Sequence, residues 1–394
     1  MRTKRQLRFT VRGPGRAGSA ATASTPRVAE FFAGVGLVRL GLEGAGCRVV
    51  YANDLDAVKA GMYAANFRDS HMAVSDVRCV RGRDVPEVEV ATASFPCTDL
   101  SLAGNRAGLN GERSGVFWEF TRVLDEMRGR LPGVVLVENV VGLATSHDGR
   151  DLAAVVSALN GLGYVCDVLK VDARHFVPQS RPRLFIIGSL TRVAPEQDIP
   201  VSQVRPAWVA SFARRHRGLE LQSASLPELP ETDVALADLV DDVPEGADLW
   251  WDDRRVRAFV RSLSALQGER LERLRDARRV SCAAAYRRTR EGKPVWEVRP
   301  DSIAGCLRTT RGGSSKQALV QAGRGRVRIR WMTGREYARL QGAPEFAFAG
   351  ATESQVRFAL GDAVCVPVVK WLAEHYVLPL VRGTLMEVVR ECAV

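Results

Sequence analysis

The sequence predicts an α/β fold with a mostly parallel sheet, followed by a smaller inserted domain. An apolar strand at 28–32 leads into a glycine turn and then into a helix-like stretch at 38–42, which is the order expected of parallel-sheet proteins. The continuous apolar run at 134–137 is typical of a strand buried on both faces. Beyond about residue 190 the composition becomes first acidic and then basic, which indicates a second domain.

These changes divide the chain into four predicted parts. Residues 1–27 contain several arginines and no acid, so we expect a disordered basic tail, although an organelle transit peptide has a similar composition. Residues 28–189 form the main α/β domain and 190–325 the inserted domain. Residues 326–394 form a C-terminal segment that returns to the main domain.

The composition indicates a class of partner. The 394 residues carry a formal charge of +11, which suggests a polyanion, most simply nucleic acid, although a basic balance can also serve solubility alone. The eight cysteines include no C-x-x-C pair, so we expect neither a zinc site nor a disulfide framework, and a reducing cytoplasm fits best. No apolar run approaches the roughly 20 residues of a membrane span.

Cys97 is the candidate catalytic residue, and the other polar residues can be interpreted as groups that serve it. It follows Phe95 and Pro96 at the end of a β-like run at 88–92, and open α/β sheets bind ligands at the carboxyl ends of their strands. A solvated cysteine there can ionise to the reactive thiolate, whereas a buried one would serve packing alone. The glycine-rich stretch that follows, up to 115, contains Arg113 and predicts a mobile loop.

The glycine turn and two acids predict a cofactor site. Gly34 and Gly36 permit a tight turn before a helix N-terminus, but Arg39 replaces the third glycine of a pyrophosphate-binding motif. A cofactor bearing a carboxylate suits this shorter set. Asp54, after the second strand, can accept both hydroxyls of a ribose, and Asp76 is placed to meet an adenine amino group. Taken singly, each acid could equally be a solvated loop residue.

Further polar residues follow other strands. Glu138 ends the apolar run at 134–137 and should lie near Cys97 if their strands are neighbours. Alternation in the next strand places three side chains on one face: Gln179, Arg181 and Arg183. These side chains could hold a base edge and its phosphate, or they could form a plain basic patch.

Segment 308–330 is the best candidate for a DNA-contacting surface. It is rich in Lys and Arg, lacks acids and contains Gly-Gly-Ser-Ser-Lys-Gln, so hydroxyl, amide and charged donors share one loop. A merely solvated loop is the alternative. A basic amphipathic helix is predicted at 263–279. Thr333 and Glu336 form a capping box that we interpret as structural.

Six of these segments, in this order, resemble the motifs of DNA (cytosine-5) methyltransferases: 32–36, 95–97, 138–140, 179–183, 335–342 and 361–364. The resemblance implies a class I S-adenosylmethionine-dependent methyltransferase (Rossmann-like) fold. In it, 28–189 is the catalytic, cofactor-binding domain and 190–325 the target-recognition domain. The chain departs from the family at four positions. Thr98 stands where the family has Gln, and Leu100 where it has Phe. Leu55 stands where the family commonly has an aromatic residue, and Asp362 where it has Asn.

The resemblance also implies roles for individual residues. Cys97 would attack C6 of a cytosine flipped out of duplex DNA, Glu138 would hold its N3 and N4 edge, Arg183 would bind the base and Arg181 would anchor the site. S-adenosylmethionine would contact Phe32, Gly34, Gly36, Asp54, Asp76, Pro96 and Asp362. DNA would contact Ser101, Arg113, Gln179, Arg311, Ser314, Ser315 and Lys316. No metal is implied.

The implied protein is a DNA-modifying enzyme of restriction-modification or host DNA marking. We expect a monomer in the bacterial cytoplasm, associated with the nucleoid, with a cognate restriction endonuclease as its candidate partner. Two alternatives share the core: a tRNA cytosine-5 methyltransferase, which resembles it with a shorter recognition region, and a catalytically inactive DNA-binding paralogue. A nicotinamide-dependent dehydrogenase would explain the glycine turn but neither the cysteine loop nor the arginine pair.

Overall fold

The computed structural model describes residues 24–68, 71–96, 115–193, 198–290, 292–309 and 316–385. Within these ranges the strands form one seven-stranded and one four-stranded sheet. The first sheet contains β1 (Arg27–Phe31), β2 (Arg48–Asp54), β3 (Met72–Val74), β4 (Val90–Ala93), β5 (Val134–Val140), β6 (Val165–Asp172) and β7 (Pro182–Ser189). The second contains β8 (Ser281–Arg290), β9 (Lys293–Val298), β10 (Ala318–Gly323) and β11 (Arg326–Trp331).

The seven-stranded sheet has the order β3-β2-β1-β4-β5-β7-β6. Strands β1 to β5 pair in parallel, whereas β7 runs antiparallel to both β5 and β6. The predicted α/β fold with a mostly parallel sheet is therefore confirmed. Because the strand order reverses between β1 and β4, their carboxyl ends diverge and open a cleft, which is the usual ligand site of such sheets.

Helices cover both faces of this sheet. The helices described in the whole chain are α1 (Leu37–Gly44), α2 (Ala57–Asn66), α3 (Val116–Glu126), α4 (Arg150–Gly161), α5 (Ala207–Arg215), α6 (Leu236–Leu239), α7 (Asp253–Arg261), α8 (Ala265–Asp276), α9 (Gly334–Leu340), α10 (Glu353–Asp362), α11 (Val366–Leu372) and α12 (Leu378–Val381). Of these, α7 and α8 pack against the four-stranded sheet instead. In α3, the buried side chains Phe117, Phe120, Val123 and Leu124 share one face, which is the spacing of an amphipathic helix. On the opposite face of the sheet, α1 packs with α11 and α12.

The packing does not follow the predicted domain boundaries at 190 and 325. Ile199 and Phe212 lie in the core of the seven-stranded sheet, and buried Arg205 pairs with Asp167 of β6, with Nε 2.9 Å from Oδ1. Residues 198–229 therefore belong to the main domain. The second boundary separates β10 from β11, which pair as a hairpin. We propose that the small domain runs from about 250 to 331.

The last helical run departs from the expectation about apolar segments. Glu353–Val381 is long and apolar enough, by length and composition, to cross a membrane, with a mean hydropathy of 1.4. More than half of that stretch is buried within the protein. Buried residues of α11 and α12 pack on the sheet, so the run forms part of the core.

Candidate active site

The glycine turn after β1 brings three left-handed residues to the mouth of the cleft. Phe32, Gly34 and Gly36 have φ values of 55°, 57° and 85°. A Cβ on Gly36 would stand 2.4 Å from a ring carbon of Phe67, so only glycine fits there. Helix α1 then begins with no side-chain cap at Gly36; the Arg39 N–H donates to Glu30, and the N–H groups of Leu37 and Val38 are the ones available to an anion. Phe32 is not a glycine, and such backbone strain is common at functional sites.

Asp54 lies beside this turn at the end of β2. One carboxylate oxygen accepts the Gly34 N–H at 2.7 Å and the other accepts the Asp56 N–H at 2.8 Å. The next side chain, Leu55, is 68% exposed. Asp76 follows the adjacent strand β3 and caps a short 3₁₀ turn, Val77–Cys79. The two predicted cofactor acids and one uncovered apolar side chain therefore lie at neighbouring strand ends.

Lys59 is a site residue that the sequence did not single out. Its Nζ lies 2.6 Å from Oδ2 of Asp362, and only 12% of its side chain is exposed. Burial lowers the pKa of Lys59, but the carboxylates of Asp362 and Asp54 outweigh burial and raise it, so this lysine is charged. The sequence contained one signal for Lys59: Asp362 stands where the family has Asn, and a carboxylate attracts a nearby cation.

Glu138 and Arg183 form an ion pair at the ends of β5 and β7. Arg183 Nε lies 3.0 Å from Glu138 Oε1, and each side chain is less than 15% exposed. Burial raises the pKa of Glu138, and the opposing effects of Arg183, Arg181 and a hydrogen bond from Ser94 do not fully offset it. The raised pKa favours the protonated form of Glu138 relative to an ordinary carboxyl group, as a general acid requires.

Two contacts hold the chain that leads to the predicted nucleophile. Ser94 hydrogen-bonds Glu138, and the buried Asn139 amide donates to the Phe95 carbonyl at 3.1 Å. Residues 94–96, including Pro96, are thus fixed against the end of β5. Cys97 and five predicted DNA contacts lie outside the described residues: Ser101, Arg113, Arg311, Ser314 and Ser315.

The structure corrects the single face predicted for three donors: Gln179 and Arg181 precede β7, which begins at Pro182, and Arg183 lies in it. Gln179 is buried, and its amide bonds the Leu340 carbonyl and the Leu307 N–H, so it cannot contact DNA. Arg181 is also buried and donates to the carbonyls of Leu307, Gly361 and Ala363. Gln179 and Arg181 are positioning residues, because both side chains are buried and hydrogen-bond backbone groups of distant segments. Arg183 alone of the three lies beside Glu138.

Replacing Arg181 with methionine is expected to destabilise the fold strongly. The change strips charge-assisted hydrogen bonds from three buried carbonyls, which should lower the free energy of unfolding by roughly 3–5 kcal/mol. Thermal unfolding should show a drop in Tm of roughly 10 °C. Arg174→Met is the matched control, because Arg174 is exposed and its ion pair with Asp172 lies near the surface. Equal Tm values for the two variants would contradict the anchoring role.

Cys306 is a second thiol at this site that sequence reasoning missed. Its Sγ lies 3.5 Å from Arg181 Nη1 and 3.8 Å from Arg183 Nη1. Burial raises its pKa, but the two guanidinium groups outweigh burial, and the net pKa is lowered. Cys306 lies 209 positions from Cys97 in the sequence, so no local pattern pointed to it.

The remaining predictions concern the small domain and metals. The capping box of Thr333 and Glu336 is confirmed, with each side chain accepting the other's backbone N–H. Lys316 is half-buried and its Nζ lies 6.0 Å above the ring of Trp331. Among the described residues, no group of three or more His, Cys, Asp or Glu side chains could hold a metal ion.

Known proteins are similar to this chain in sequence. The chain is 27% identical over 348 residues to the type II methyltransferase M.NgoBI of Neisseria gonorrhoeae, covering 86% of this chain and 90% of that protein. It is 26% identical over 356 residues to the type II methyltransferase M.HaeII of Haemophilus aegyptius, covering 90% and 94% of the two chains.

Solved structures share the fold. The Dnmt2 methyltransferase of S. pombe aligns with a TM-score of 0.59 at 18% identity, covering 91% of this chain and 99% of that one. A putative DNA modification methyltransferase encoded within a prophage of E. coli aligns with a TM-score of 0.53, covering 92% and 100%. The model of the C-5 cytosine-specific DNA methylase family matches residues 26–377, and the chain therefore belongs to the C-5 cytosine-specific DNA methylases.

Proposed function

We propose that this enzyme transfers a methyl group from S-adenosylmethionine to C5 of a cytosine in one short duplex DNA sequence. The observation that carries the proposal is the buried Glu138–Arg183 pair at the cleft, with a raised Glu138 pKa. A cytosine presents a ring nitrogen, an exocyclic amine and a carbonyl, which an acid and a guanidinium together complement.

The residues at the glycine turn fit S-adenosylmethionine. Asp54 suits the ribose hydroxyls, and the exposed Leu55 offers an apolar surface for adenine, with Asp76 near its amino group. The Lys59–Asp362 pair suits the cofactor's amino-acid end, because lysine complements the carboxylate and aspartate the ammonium. When bound, the cofactor supplies an electrophilic methyl group. The proposed cleft is also lined by uncharged residues, which do not compete with the acids and Lys59 for the cofactor: Phe32, Gly34, Gly36 and Pro96.

The chemistry assigned to this chain begins with base flipping, because a stacked cytosine cannot be reached. The Cys97 thiolate adds to C6, and the electron pair displaced from the C5–C6 bond makes C5 nucleophilic. Glu138 donates a proton at N3 while Arg183 holds the base. After methylation, the C5 proton passes to solvent water, and the electron pair of that C–H bond re-forms the C5–C6 double bond as the C6–S bond breaks and the Cys97 thiolate leaves. The N3 proton returns to Glu138, and the aromatic ring is restored.

The biological setting follows from the named relatives. Both full-length matches are type II methyltransferases, which supports a role in restriction-modification, beside a cognate endonuclease and in a bacterial cytoplasm. We further propose that the enzyme acts as a monomer. The match to the C-5 cytosine-specific DNA methylase family supports duplex DNA over tRNA.

The direct test is bisulfite sequencing of a plasmid from a methylation-free host that expresses the protein. We expect protected cytosines at one short motif and nowhere else. An unmethylated plasmid, recovered together with folded protein that binds S-adenosylmethionine, would contradict the DNA substrate. Methylation of tRNA from the same cells would then support the RNA alternative.

Lys59→Gln should weaken S-adenosylmethionine binding about tenfold, because the variant lacks the cation that the cofactor carboxylate needs. Binding of 5′-methylthioadenosine, which lacks the amino-acid part, should not change. Titration calorimetry with both ligands measures this difference. Lys293→Gln, at an exposed position on β9, is the control. An equal loss of affinity for both ligands would show that Lys59 does not act on the amino-acid part of the cofactor.

A further inference from the structure

The small domain contains a cavity that the catalytic centre does not use. It has a volume of about 230 Å³ and lies between α7 and the strands β8, β9 and β11. Three indole rings line it, from Trp251, Trp296 and Trp331, with ring centroids 5.0–5.7 Å apart. We name this cavity the tryptophan pocket; Arg255, Ala258 and Arg287 also line it.

The three indole rings are not fully covered by the protein's own packing. All three tryptophans are half-buried, whereas the core beneath them, including Phe259, is fully enclosed. Tryptophans that served only the core would be covered by other elements. The pocket therefore exposes part of each indole beside its guanidinium groups, and adjacent exposed aromatic side chains usually mark a binding site.

The charges around the pocket select the class of ligand. The Arg255 guanidinium lies 4.1 Å from the Trp251 ring and 5.2 Å from the Trp331 ring, and Arg287 lies 5.6 Å from Trp296. Helix α7 also exposes Arg254, Arg257 and Arg261, with acids only at its first turn. A cationic ligand would be repelled. A planar ring that carries an anion fits both features, and a nucleotide is such a group.

The pocket also borders the surface proposed to hold DNA. Lys316, the first described residue after the basic loop, lies over the Trp331 ring. Strand β11, which carries Trp331, pairs with β10 directly after that loop. DNA that contacts Lys316 would therefore come close to the Trp331 ring of the pocket.

We propose that the tryptophan pocket stacks one unpaired nucleobase of the bound DNA, while Arg255 and Arg287 hold the adjoining phosphates. The proposal rests on the proposed function, since it requires DNA on the small domain. It adds a second base-binding site, separate from the one that holds the target cytosine at Glu138. A single ring fills a cavity of this size, and stacking on indole accepts any base.

The experiment compares two variants of one exposed helix. Ala258→Phe fills the pocket, whereas Val260→Phe places the same ring at a 44% exposed position of α7 that does not line it. The probes are duplexes that carry the motif found by bisulfite sequencing, with 5-iodouracil at single positions in and beside the motif. Irradiation crosslinks a base to an aromatic ring stacked on it, and peptide mass spectrometry locates the crosslink.

We expect crosslinks to Trp251, Trp296 or Trp331 in the wild type and in Val260→Phe, and none in Ala258→Phe. Fluorescence anisotropy at fixed salt should show roughly tenfold weaker DNA binding for Ala258→Phe alone. Crosslinks absent from all three tryptophans, or retained in Ala258→Phe, would overturn the pocket. Methylation assayed on the same duplexes separates the two proposals: methylated DNA without these crosslinks refutes the pocket alone, and unmethylated DNA that still crosslinks to the tryptophans refutes the activity alone.

Discussion

Cys97→Ala is expected to abolish methyl transfer while leaving cofactor binding and folding unchanged. Without the thiolate, C5 of cytosine is a poor nucleophile, and no other step in the scheme compensates for the missing covalent bond. Bisulfite sequencing of a plasmid from cells expressing the variant should show no protected cytosine. Detectable methylation by the variant would refute the assignment of Cys97.

Cys306 provides the control for this prediction. It lies between Arg181 and Arg183 and its pKa is lowered, so it is the rival nucleophile among the described residues. A duplex with 5-fluorocytosine at the target should trap the covalent adduct, because the fluorine cannot leave as a proton does. Peptide mapping should find the adduct on Cys97 in both the wild type and Cys306→Ser. An adduct on Cys306 would reverse the roles of the two thiols.

Glu138→Gln should reduce kcat by roughly 10²–10⁴-fold, which is the usual contribution of a general acid. The amide keeps the shape and can still donate a hydrogen bond, but it cannot transfer a proton. DNA and cofactor affinities should change little. Glu269→Gln, at an exposed position on α8, is the matched control and should retain full activity.

The pH profile distinguishes proton transfer from a structural role. Burial raises the pKa of Glu138, so the active protonated form persists above the usual range of a carboxyl group and is lost as the pH rises through the raised pKa. The wild-type rate should therefore fall on the alkaline side. Glu138→Gln should lack this fall, because the amide does not titrate. If the variant shows the same alkaline fall, another group is responsible for it.

Local patterns in the sequence were sufficient for much of the fold. The strand, glycine turn and helix at 28–42, the apolar run of β5 and the capping box at Thr333 were each predicted from neighbouring residues. Each depends on backbone geometry or side-chain periodicity within a few positions. The polar residues at the ends of β2, β3 and β5, which are Asp54, Asp76 and Glu138, were also predicted, because parallel strands place their carboxyl ends along one edge.

Contacts between distant parts of the chain could not be predicted in this way. Alternation on β7 suggested three exposed donors, but Gln179 and Arg181 are buried because segments near 307, 340 and 361–363 close over them. The boundary predicted at residue 190 followed a change in composition, while Arg205 and Phe212 pack into the main core.

The sequence by itself determined the family, the strand-end chemistry and the residues proposed as nucleophile and acid, because those depend on residue type and local spacing. Only the tertiary structure decided that Lys59 neutralises Asp362, that Cys306 lies between two arginines and that three tryptophans share one pocket. These pairings join residues tens to hundreds of positions apart. Their distances are set by how helices and sheets pack, and no local pattern encodes that packing.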